Sequence, residues 1–377
     1  MRRALLWCMA ALCCAGCAGA DGAGVDAEQP QAALAAAQLG FERGGAVFTQ
    51  TNEAGANRVL AFARDDSGEL AAAQAFATGG KGSGDALGSQ GALVLSEHAR
   101  FLLAVNAGSN DVSSFAVRGA QLELVDRVGS GGMRPISVTE RRGLVYVLNA
   151  GAPANVTGFF LDARGRLQPI DHAMQPLSAD AVAPAQVELS PDSRTLVVTE
   201  KDTNLIDTYA VTAFGRIAPP QLNASAGTTP FGFEFTREGD LIVSEAATGS
   251  MSSYALHGPA DLRLITGPIG DTQVAPCWVA VAHDDRYAYT TNAGSGSISS
   301  YSVARSGAIE LLDARAGELR EGSKPLDMAF DARGRYLYAL DAGNSEIASF
   351  SAQRDGSLDP LSASEPLPHT AAGLSAY

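Results

Sequence analysis

The sequence predicts an all-β fold, a seven-bladed β-propeller made of four-stranded antiparallel blades. One phrase recurs, in which an apolar strand ends in a polar residue and a glycine-serine loop leads back to an aromatic; T-N-A-G-S-G-S-I-S-S-Y, Thr291 to Tyr301, is one copy. Such strand-end polar residues recur at intervals of about 45 residues, which is the spacing of propeller blades. The seven are Asn52, Asn106, Asn149, Glu200, Glu245, Asn292 and Asp341. An aromatic follows nine or ten residues after each: Phe62, Phe115, Phe159, Tyr209, Tyr254, Tyr301 and Phe350.

One repeat, residues 91–128, contains all four strands of a blade. Its first two strands, Ala92 to Leu95 and Phe101 to Val105, are nearly all apolar, as expected for inner strands buried on both faces. The next two, Val112 to Val117 and Leu122 to Val128, alternate apolar and polar residues, as outer strands half in solvent do. The N-A-G-S loop joins the second strand to the third, with glycine allowing a tight reversal. We interpret the polar residue before it as an anchor for loop backbone.

The two ends of the chain predict how the ring closes. Before Asn52 there is one apolar strand, Ala46 to Gln50, with no inner partner ahead of it. The last residues, Ala371 to Tyr377, would supply the missing innermost strand of the first blade. Pairing between the ends removes the sheet edges that an open ring would expose. We therefore assign residues 41–377 to the propeller domain.

The first residues have the pattern of an export signal. Two arginines precede an apolar run from Ala4 to Cys14, which is too short to span a membrane. We assign residues 1–17 to this signal. Residues 18–40, rich in Ala, Gly, Gln and Asp, are expected to form a flexible tether.

The end of the export signal leaves two outcomes open. The stretch C-A-G-C resembles a bacterial lipoprotein box, which predicts lipidation at Cys17. Because Ala18 and not an aspartate follows, this resemblance implies sorting to the outer membrane, on the periplasmic side of the envelope. Cleavage after Ala20 would instead give a soluble periplasmic or secreted protein.

Charge and cysteine content exclude several classes of partner. The formal charge is -14, from 27 Lys+Arg against 41 Asp+Glu, and the basic residues are scattered, so nucleic acid is not an expected partner. Four of the five cysteines lie in the export segment, and Cys277 alone remains, so no internal disulfide can form. The histidines lack partners at metal-ligand spacing. We expect a monomer with no metal and no cofactor, bound to a membrane only through a lipid on Cys17.

A candidate ligand site follows from the propeller geometry, because the starts of the inner strands and the ends of the second strands share one face. Inner-strand starts would place there Gln90, Arg134, Ala185, Gln186, Phe231, Cys277, Trp278 and Lys324. We assign Glu245, Glu200 and Arg134 as candidate catalytic residues. The candidate substrate-binding residues are Gln90, Asn106, Asn149, Gln186, Lys201, Trp278, Asn292, Lys324 and Asp341. Acids and bases in one funnel favour a small anionic ligand; the alternative is that Arg134 and Lys324 only neutralise the acids.

Three phrases carry a family resemblance. They are L-S-P-D-S-R-T-L-V-V-T-E-K-D-T-N-L-I-D-T-Y from Leu189, R-Y-A-Y-T-T-N-A-G-S-G-S-I-S-S-Y from Arg286, and F-D-A-R-G-R-Y-L-Y-A-L-D-A-G from Phe330. Through them the chain, from about Phe41 to Tyr377, resembles the lactonase and carboxymuconate-cyclase family of seven-bladed propellers, related to YVTN-type repeats. The resemblance implies a phosphogluconolactonase or a lactonising cyclase.

The family's functional residues transfer only in part. The resemblance implies a histidine and an arginine at inner-strand starts, and a glutamate at the end of a second strand. The histidine position falls on Ala185 in P-A-Q-V-E-L-S-P-D, the arginine position falls on Phe231, and the glutamate is retained as Glu245. Lactone hydrolysis needs a base to activate water and a donor to hold the oxyanion. A reaction here would therefore use a rearranged site.

Two functions are compatible with these observations. The first is an exported enzyme that opens or closes a lactone ring, with Glu245 or Glu200 as acid or base and with Arg134 and Lys324 as partners of a carboxylate or oxyanion. The second is a non-catalytic propeller in the cell envelope that binds a small ligand or a protein. Export separates the protein from cytoplasmic sugar phosphates, which argues against phosphogluconolactone as the substrate.

Overall fold

The repeating pattern of apolar strands and polar loops produces 28 β-strands in the computed structural model, which describes residues 45–377. The export signal, Cys17 and the tether lie outside the described residues. In chain order the strands are β1 Ala46–Gln50, β2 Arg58–Ala63, β3 Gln74–Ala77, β4 Leu93–Leu95, β5 Phe101–Asn106, β6 Asp111–Arg118, β7 Gln121–Gly129, β8 Pro135–Arg141, β9 Leu144–Asn149, β10 Asn155–Leu161, β11 Leu167–Pro176, β12 Pro184–Leu189, β13 Thr195–Glu200, β14 Leu205–Ala210, β15 Gln221–Ala224, β16 Pro230–Phe235, β17 Leu241–Glu245, β18 Ser250–His257, β19 Asp261–Gly270, β20 Pro276–Val281, β21 Tyr287–Asn292, β22 Ser297–Val303, β23 Ile309–Glu318, β24 Pro325–Phe330, β25 Tyr336–Asp341, β26 Glu346–Ala352, β27 Leu358–Pro360 and β28 Ala372–Ala376.

The strands form seven antiparallel sheets of four, which confirms the predicted seven-bladed propeller. Six blades use four consecutive strands each, beginning with β4–β7 as blade 2 and ending with β24–β27 as blade 7. Blade 1 has the order β28-β1-β2-β3, so the C-terminal strand is its innermost strand, as predicted. None of the described residues forms a helix that could cross a membrane.

The core lies between neighbouring blades, where their inner and middle strands pack face to face. The second strands, such as β5, β9 and β21, are buried along their whole length. The fourth strands, such as β7, are largely exposed on one face. The seven aromatics of the repeat all lie on the third strand of their blade, which is β2 in blade 1, and all are buried. They are Phe62, Phe115, Phe159, Tyr209, Tyr254, Tyr301 and Phe350. Each ring packs into the core, and this burial explains why an aromatic residue recurs at this position of every blade.

The two glycines of the segment Thr291 to Tyr301 have different structural roles. Gly296 has φ +66°, so it does supply the tight reversal between β21 and β22. Gly294 has no such φ; a Cβ there would collide with the Val274 side chain in the segment that leads into β20. The Gly294 N–H donates to the Val274 carbonyl at 3.0 Å. This glycine therefore permits close approach of a hairpin loop to the connection between blades.

The strand pairing defines two faces of the ring. At the start of inner strands, Pro184 pairs with Glu200, Pro276 with Asn292 and Pro325 with Asp341. We call this side, where inner strands begin and second strands end, the upper face. The lower face carries the turns between inner and second strands. The strand-end polar residues therefore belong to the upper face.

Candidate functional site

Glu245, at the end of β17, is enclosed beneath the segment that joins blade 4 to blade 5. Its side chain is completely buried. Its Oε1 accepts hydrogen bonds from the Ser225 hydroxyl at 2.9 Å, the Gly227 N–H at 2.7 Å and the Tyr254 hydroxyl at 3.3 Å. Its Oε2 accepts one from the Ser250 hydroxyl at 3.1 Å. Both carboxylate oxygens are thus occupied, Oε1 by the connection between blades and by β18, and Oε2 by β18, so Glu245 holds this connection against its own blade.

Glu200, at the end of β13, has the equivalent position in blade 4. Its Oε1 accepts the Ser178 N–H at 2.9 Å, and its Oε2 accepts the hydroxyls of Ser178 and, at 2.6 Å, Thr203. Asp207 on β14 lies against it, also fully buried. Burial, and then the charge of Glu200, raise the pKa of Asp207. The two acids therefore share the site with one of them protonated.

We expect Asp207→Asn to stabilise the protein more at about pH 8 than at about pH 5. The folded state retains on Asp207 a proton that the unfolded chain releases above its ordinary pKa of about 4, so wild-type stability falls as the pH rises from there into the neutral range. The asparagine amide can donate to Glu200 without ionising. A gain in Tm of about 2–4 °C at the higher pH would fit. The exposed Asp359→Asn is the control; an equal change in Tm at both pH values would contradict the shared proton.

The other strand-end anchors also tie loops. Asp341 accepts the Lys324 N–H at 2.8 Å and the Gly343 N–H at 3.0 Å, joining the start of one inner strand to the adjacent hairpin. The four asparagines are all fully buried; Asn52 donates through Nδ2 to the Ser83 hydroxyl and the Asp85 carbonyl, and the other three donate to polar groups of their own hairpin or of the preceding connection. Their partners are Asp111 and Ser113 for Asn106, Ser130 and Asn155 for Asn149, and Ser297 and Ser299 for Asn292. The repeated polar residue holds loop backbone at Asn149, Glu245 and Asp341, and it contacts side chains of its own hairpin at Asn106 and Asn292.

Three predicted cations stand near the axis of the upper face. Arg134 and Lys324 are exposed, and Lys201 is half-buried. Among the ion pairs of residues 45–377, none involves Arg134, Lys201 or Lys324. Arg134 and Lys324 therefore form none of the direct ion pairs that would neutralise the acidic anchors, and Glu200, Glu245 and Asp341 take their hydrogen bonds from neighbouring loops and strands. The three cations of this face thus form no direct ion pair, although the charge of Asp202 acts on Lys201.

Two aromatic rings, Phe231 and Trp278, form a floor beneath Lys201. The rings of Phe231 and Trp278 are tilted against each other with centroids 4.8 Å apart. The Lys201 Nζ lies 4.9 Å from the Phe231 ring centroid and donates to the Gly88 carbonyl at 2.6 Å. Burial lowers the pKa of Lys201, and burial raises the pKa of the Cys277 thiol to about 12 despite the nearby lysines. Cys277 is therefore a protonated, unreactive thiol at neutral pH.

Gln90 crosses the axis. The segment Ser89–Gly91 immediately precedes β4 of blade 2. The Gln90 amide makes two hydrogen bonds to Val279 on blade 6: its Nε2 donates to the Val279 carbonyl at 2.8 Å, and its Oε1 accepts the Val279 N–H at 3.0 Å. The Trp278 indole donates to the Ser89 carbonyl at 2.9 Å, and the Gln90 N–H donates to Ala185 on blade 4 at 3.1 Å. This segment bridges opposite sides of the ring and separates the upper face from the channel below it.

Gln186 faces the channel and not the upper face. Its Oε1 accepts the Phe233 N–H at 2.8 Å, and its Nε2 donates to the Phe233 carbonyl at 2.8 Å and to Glu188 at 3.1 Å. It ties β12 to β16 in the neighbouring blade. The structure therefore brings Arg134, Lys201, Lys324 and Trp278 together and leaves the two glutamines and the strand-end anchors in backbone and loop contacts.

The channel below Gln90 is an open cavity of about 660 Å³, lined by all seven inner strands. Its wall includes Glu188, Glu234 and Asp327, which the sequence interpretation missed. The signal was available, because each is an acid inside an otherwise apolar inner strand: V-E-L, F-E-F and P-L-D-M. An unpaired acid in such a strand indicates that the strand faces a polar cavity.

Comparison with known proteins identifies the relatives of this fold. A family model described as "Lactonase, 7-bladed beta-propeller" matches residues 40–178, 154–260 and 255–372. The periplasmic gluconolactonase of Pseudomonas aeruginosa is 17% identical with a TM-score of 0.69, over 88% of this chain and 98% of that one. A protein proposed to be a 6-phosphogluconolactonase, from Bacteroides fragilis, is 16% identical with a TM-score of 0.67, over 88% and 98%. These likenesses show the fold. No curated protein matches the chain.

Proposed function

Because the chain belongs to the lactonase family of seven-bladed β-propellers, we propose that it binds a small organic anion, a lactone or its open-chain acid, at the upper face. The ligand would lie on the Phe231 and Trp278 floor, with its carboxylate among Arg134, Lys201 and Lys324. Ring opening or closing would proceed through this rearranged site, since alanine and phenylalanine occupy the family's histidine and arginine positions.

The observation that carries this proposal is the set of upper-face cations that form no direct ion pair, although Asp202 lies near enough to Lys201 to act on its pKa. Arg134, Lys201 and Lys324 make no ion pair with another described residue. The chain contains only three lysines, and two of them are in this cluster. An anion that entered would gain their attraction over an apolar surface that excludes water from one side. A neutral ligand would gain much less.

Lys201 is our candidate for the general base that activates water. Its pKa is lowered by burial, so a larger fraction is present as the neutral amine than for an exposed lysine. In ring opening, Lys201 would take a proton from water as the water oxygen attacks the lactone carbonyl. The bond from that carbon to the ring oxygen then breaks, and the ring oxygen takes up the proton, giving a hydroxy acid. Arg134 and Lys324 would hold the negative charge that develops.

A panel of lactones tests the proposal. We expect the purified protein to hydrolyse carboxylated lactones faster than neutral ones of the same ring size. Lys201→Met and Arg134→Ala should each reduce kcat/KM by about 10- to 100-fold with an unchanged Tm. The exposed Arg118→Ala, on the outer hairpin of blade 2, is the matched control for loss of one positive charge. Full activity in both upper-face variants would rule out this site.

A second candidate, binding without turnover, rests on a different observation. Glu200 and Glu245 have their oxygens occupied by loop donors, so neither is poised as a base. A propeller that binds an organic acid in the envelope would need only the cations and the aromatic floor. In the same lactone panel it would show binding of the open acids, weakened by Arg134→Ala, and no hydrolysis above the uncatalysed rate.

We further propose that the protein is exported and acts as a monomer on the periplasmic side of the cell envelope. Lipidation at Cys17 would anchor it to the outer membrane, and cleavage after Ala20 would release it as a soluble protein. The support is the sequence pattern of residues 1–20. Incorporation of labelled palmitate that is lost in Cys17→Ser would establish the anchor.

A further inference from the structure

The axial cavity of the lower face is a blind pocket. It measures about 660 Å³, within the range of small-molecule sites. Its inner end is closed by Ser89–Gly91, which hydrogen-bonds to blades on opposite sides of the ring. Its mouth lies among the turns that follow the inner strands, where Arg237 and His283 stand. A ligand can therefore enter from the lower face and cannot pass through to the upper one.

The charge of the wall decides the class of ligand. Five carboxyl groups line the cavity against two guanidinium groups: Glu97, Glu140, Glu188, Glu234 and Asp327 against Arg141 and Arg237. Arg141 is already paired with Glu97 at 3.8 Å. The Glu140 side chain accepts the N–H groups of Glu97 and Gly143. The deeper carboxyls are left with an excess of negative charge when ionised, which favours a cationic ligand.

Three carboxyls on the cavity wall have few donors among the described residues. Asp327 is 3% exposed; its Oδ1 accepts the Gly91 N–H at 3.3 Å, and the Gly373 N–H and the Trp278 indole lie close enough to lower its pKa. Glu234 accepts the Val281 N–H at Oε2, 2.6 Å, and Glu188 accepts the Gln186 amide at Oε2. The second oxygens of Glu188 and Glu234 receive no hydrogen bond from residues 45–377, and both side chains are half-buried on the wall of the open cavity. A ligand with N–H groups that entered the cavity would donate to these oxygens in place of water.

The pKa values of Glu188, Glu234 and Asp327 are all raised, which indicates that no cationic side chain among residues 45–377 fully balances their charge. Burial raises the pKa of Glu234 and of Asp327 to about 7, against the lowering effect of nearby backbone N–H groups. Burial, and then the charge of Glu234, raise the pKa of Glu188 well above its ordinary value, and Arg141 offsets this only in part. The charged groups facing the three carboxyls are Arg141, Glu97, Glu140, Arg237, Asp285 and His283.

We propose that this pocket binds a small aliphatic diamine, with one ammonium group between Glu188 and Glu234 and the other at Asp327. Glu188 and Glu234 are on the inner strands of blades 4 and 5, and Asp327 is on that of blade 7, across the axis. The cavity therefore has carboxyl groups on two opposite sides, and a diamine has an ammonium group at each end of its chain to pair with them. A bare metal ion fits less well, because no three acid, histidine or cysteine side chains of the described chain are close enough to hold one. The proposal is independent of the lactone site on the upper face.

Calorimetric titration of the full-length protein with putrescine tests this proposal, with 1,4-butanediol as the uncharged control ligand. Putrescine should bind and the diol should not. Since the carboxyls must ionise, affinity should fall by about tenfold or more from about pH 8 to about pH 6, and binding should release protons, seen as a dependence of the heat on the buffer.

Variants locate the binding. Glu234→Gln and Glu188→Gln should each weaken putrescine binding at least about tenfold at pH 8, and the exposed Glu123→Gln on the outer strand of blade 2 should leave it unchanged. Both glutamines retain the size and the acceptor of the original side chain, and the melting curve of each variant verifies its fold. Failure of putrescine to bind, binding equal to that of the diol, or unchanged affinity in the folded Glu234 or Glu188 variant would overturn the proposal.

Discussion

Removing the last seven residues, Ala371–Tyr377, is expected to lower Tm by about 10 °C or more, or to abolish cooperative unfolding. Strand β28 pairs with β1 through Val47 to Gln50, and it also contacts β4 of blade 2 and β24 of blade 7. Leu374 is buried in the core there, and the Ser375 hydroxyl donates to the Leu93 carbonyl at 2.8 Å. Without β28 the ring has a gap at its axis and an exposed edge on β1.

Thermal unfolding of the truncated protein measures this effect, and a peptide of residues 371–377 added in trans provides the control. The peptide should restore part of the lost Tm in proportion to its concentration, and a peptide with Leu374 replaced by Asp should not. The tail also depends on Gly373, which has φ +72° and lies against Leu93 with no room for a Cβ. An unchanged Tm after truncation would mean that ring closure contributes little to stability.

The fold was predictable from the sequence because its information is local and repeated. The strand Ala46–Gln50 and the four strands of blade 2 were predicted within about two residues of their bounds, since apolar runs and alternating patterns directly report burial. Closure by the C-terminal tail followed from counting inner and second strands. These features depend on strand periodicity, which seven copies of one pattern specify repeatedly.

For the candidate site, the sequence predicted which residues share the upper face but not the contacts that they make. The sequence indicated that Arg134, Lys201, Lys324 and Trp278 share a face, because their register in the repeat fixes their position along the strand. It did not show that Gln90 bonds to Val279 across the ring, since that contact joins blades 2 and 6, which no local pattern connects. The segment thereby fills the upper part of the channel and leaves the cavity on the lower face.

Acids in the inner strands illustrate the same limit. Glu188 and Glu234 belong to strands whose apolar neighbours suggest complete burial, and burial of an isolated acid is unfavourable. The structure resolves the conflict, because these strands border a cavity where the carboxyls point. Whether a propeller axis is filled or hollow depends on the side chains of seven separate strands. A single sequence pattern contains no information on their mutual distances.

Replacing Glu245 with alanine is expected to destabilise the protein by about 3–5 kcal/mol. The change leaves four donors without their acceptor: the Ser250 and Tyr254 hydroxyls, which are buried, and the Gly227 N–H and the Ser225 hydroxyl, which are half-buried. Glu245→Gln keeps the shape and one acceptor oxygen, so we expect a smaller loss of about 1–2 kcal/mol. The exposed Glu123→Ala should change stability by less than about 0.5 kcal/mol.

Chemical denaturation gives these free energies, and the lactone assay on the same variants separates structure from catalysis. If Glu245 serves to hold the loop between blades 4 and 5, the folded Glu245→Gln variant should retain the turnover of the wild type at temperatures well below its Tm. A Glu245→Gln variant with the stability of the wild type and no turnover would instead make this carboxylate the base. The structural role is favoured because both oxygens of Glu245 accept hydrogen bonds from the protein's own loops and from the neighbouring strand β18.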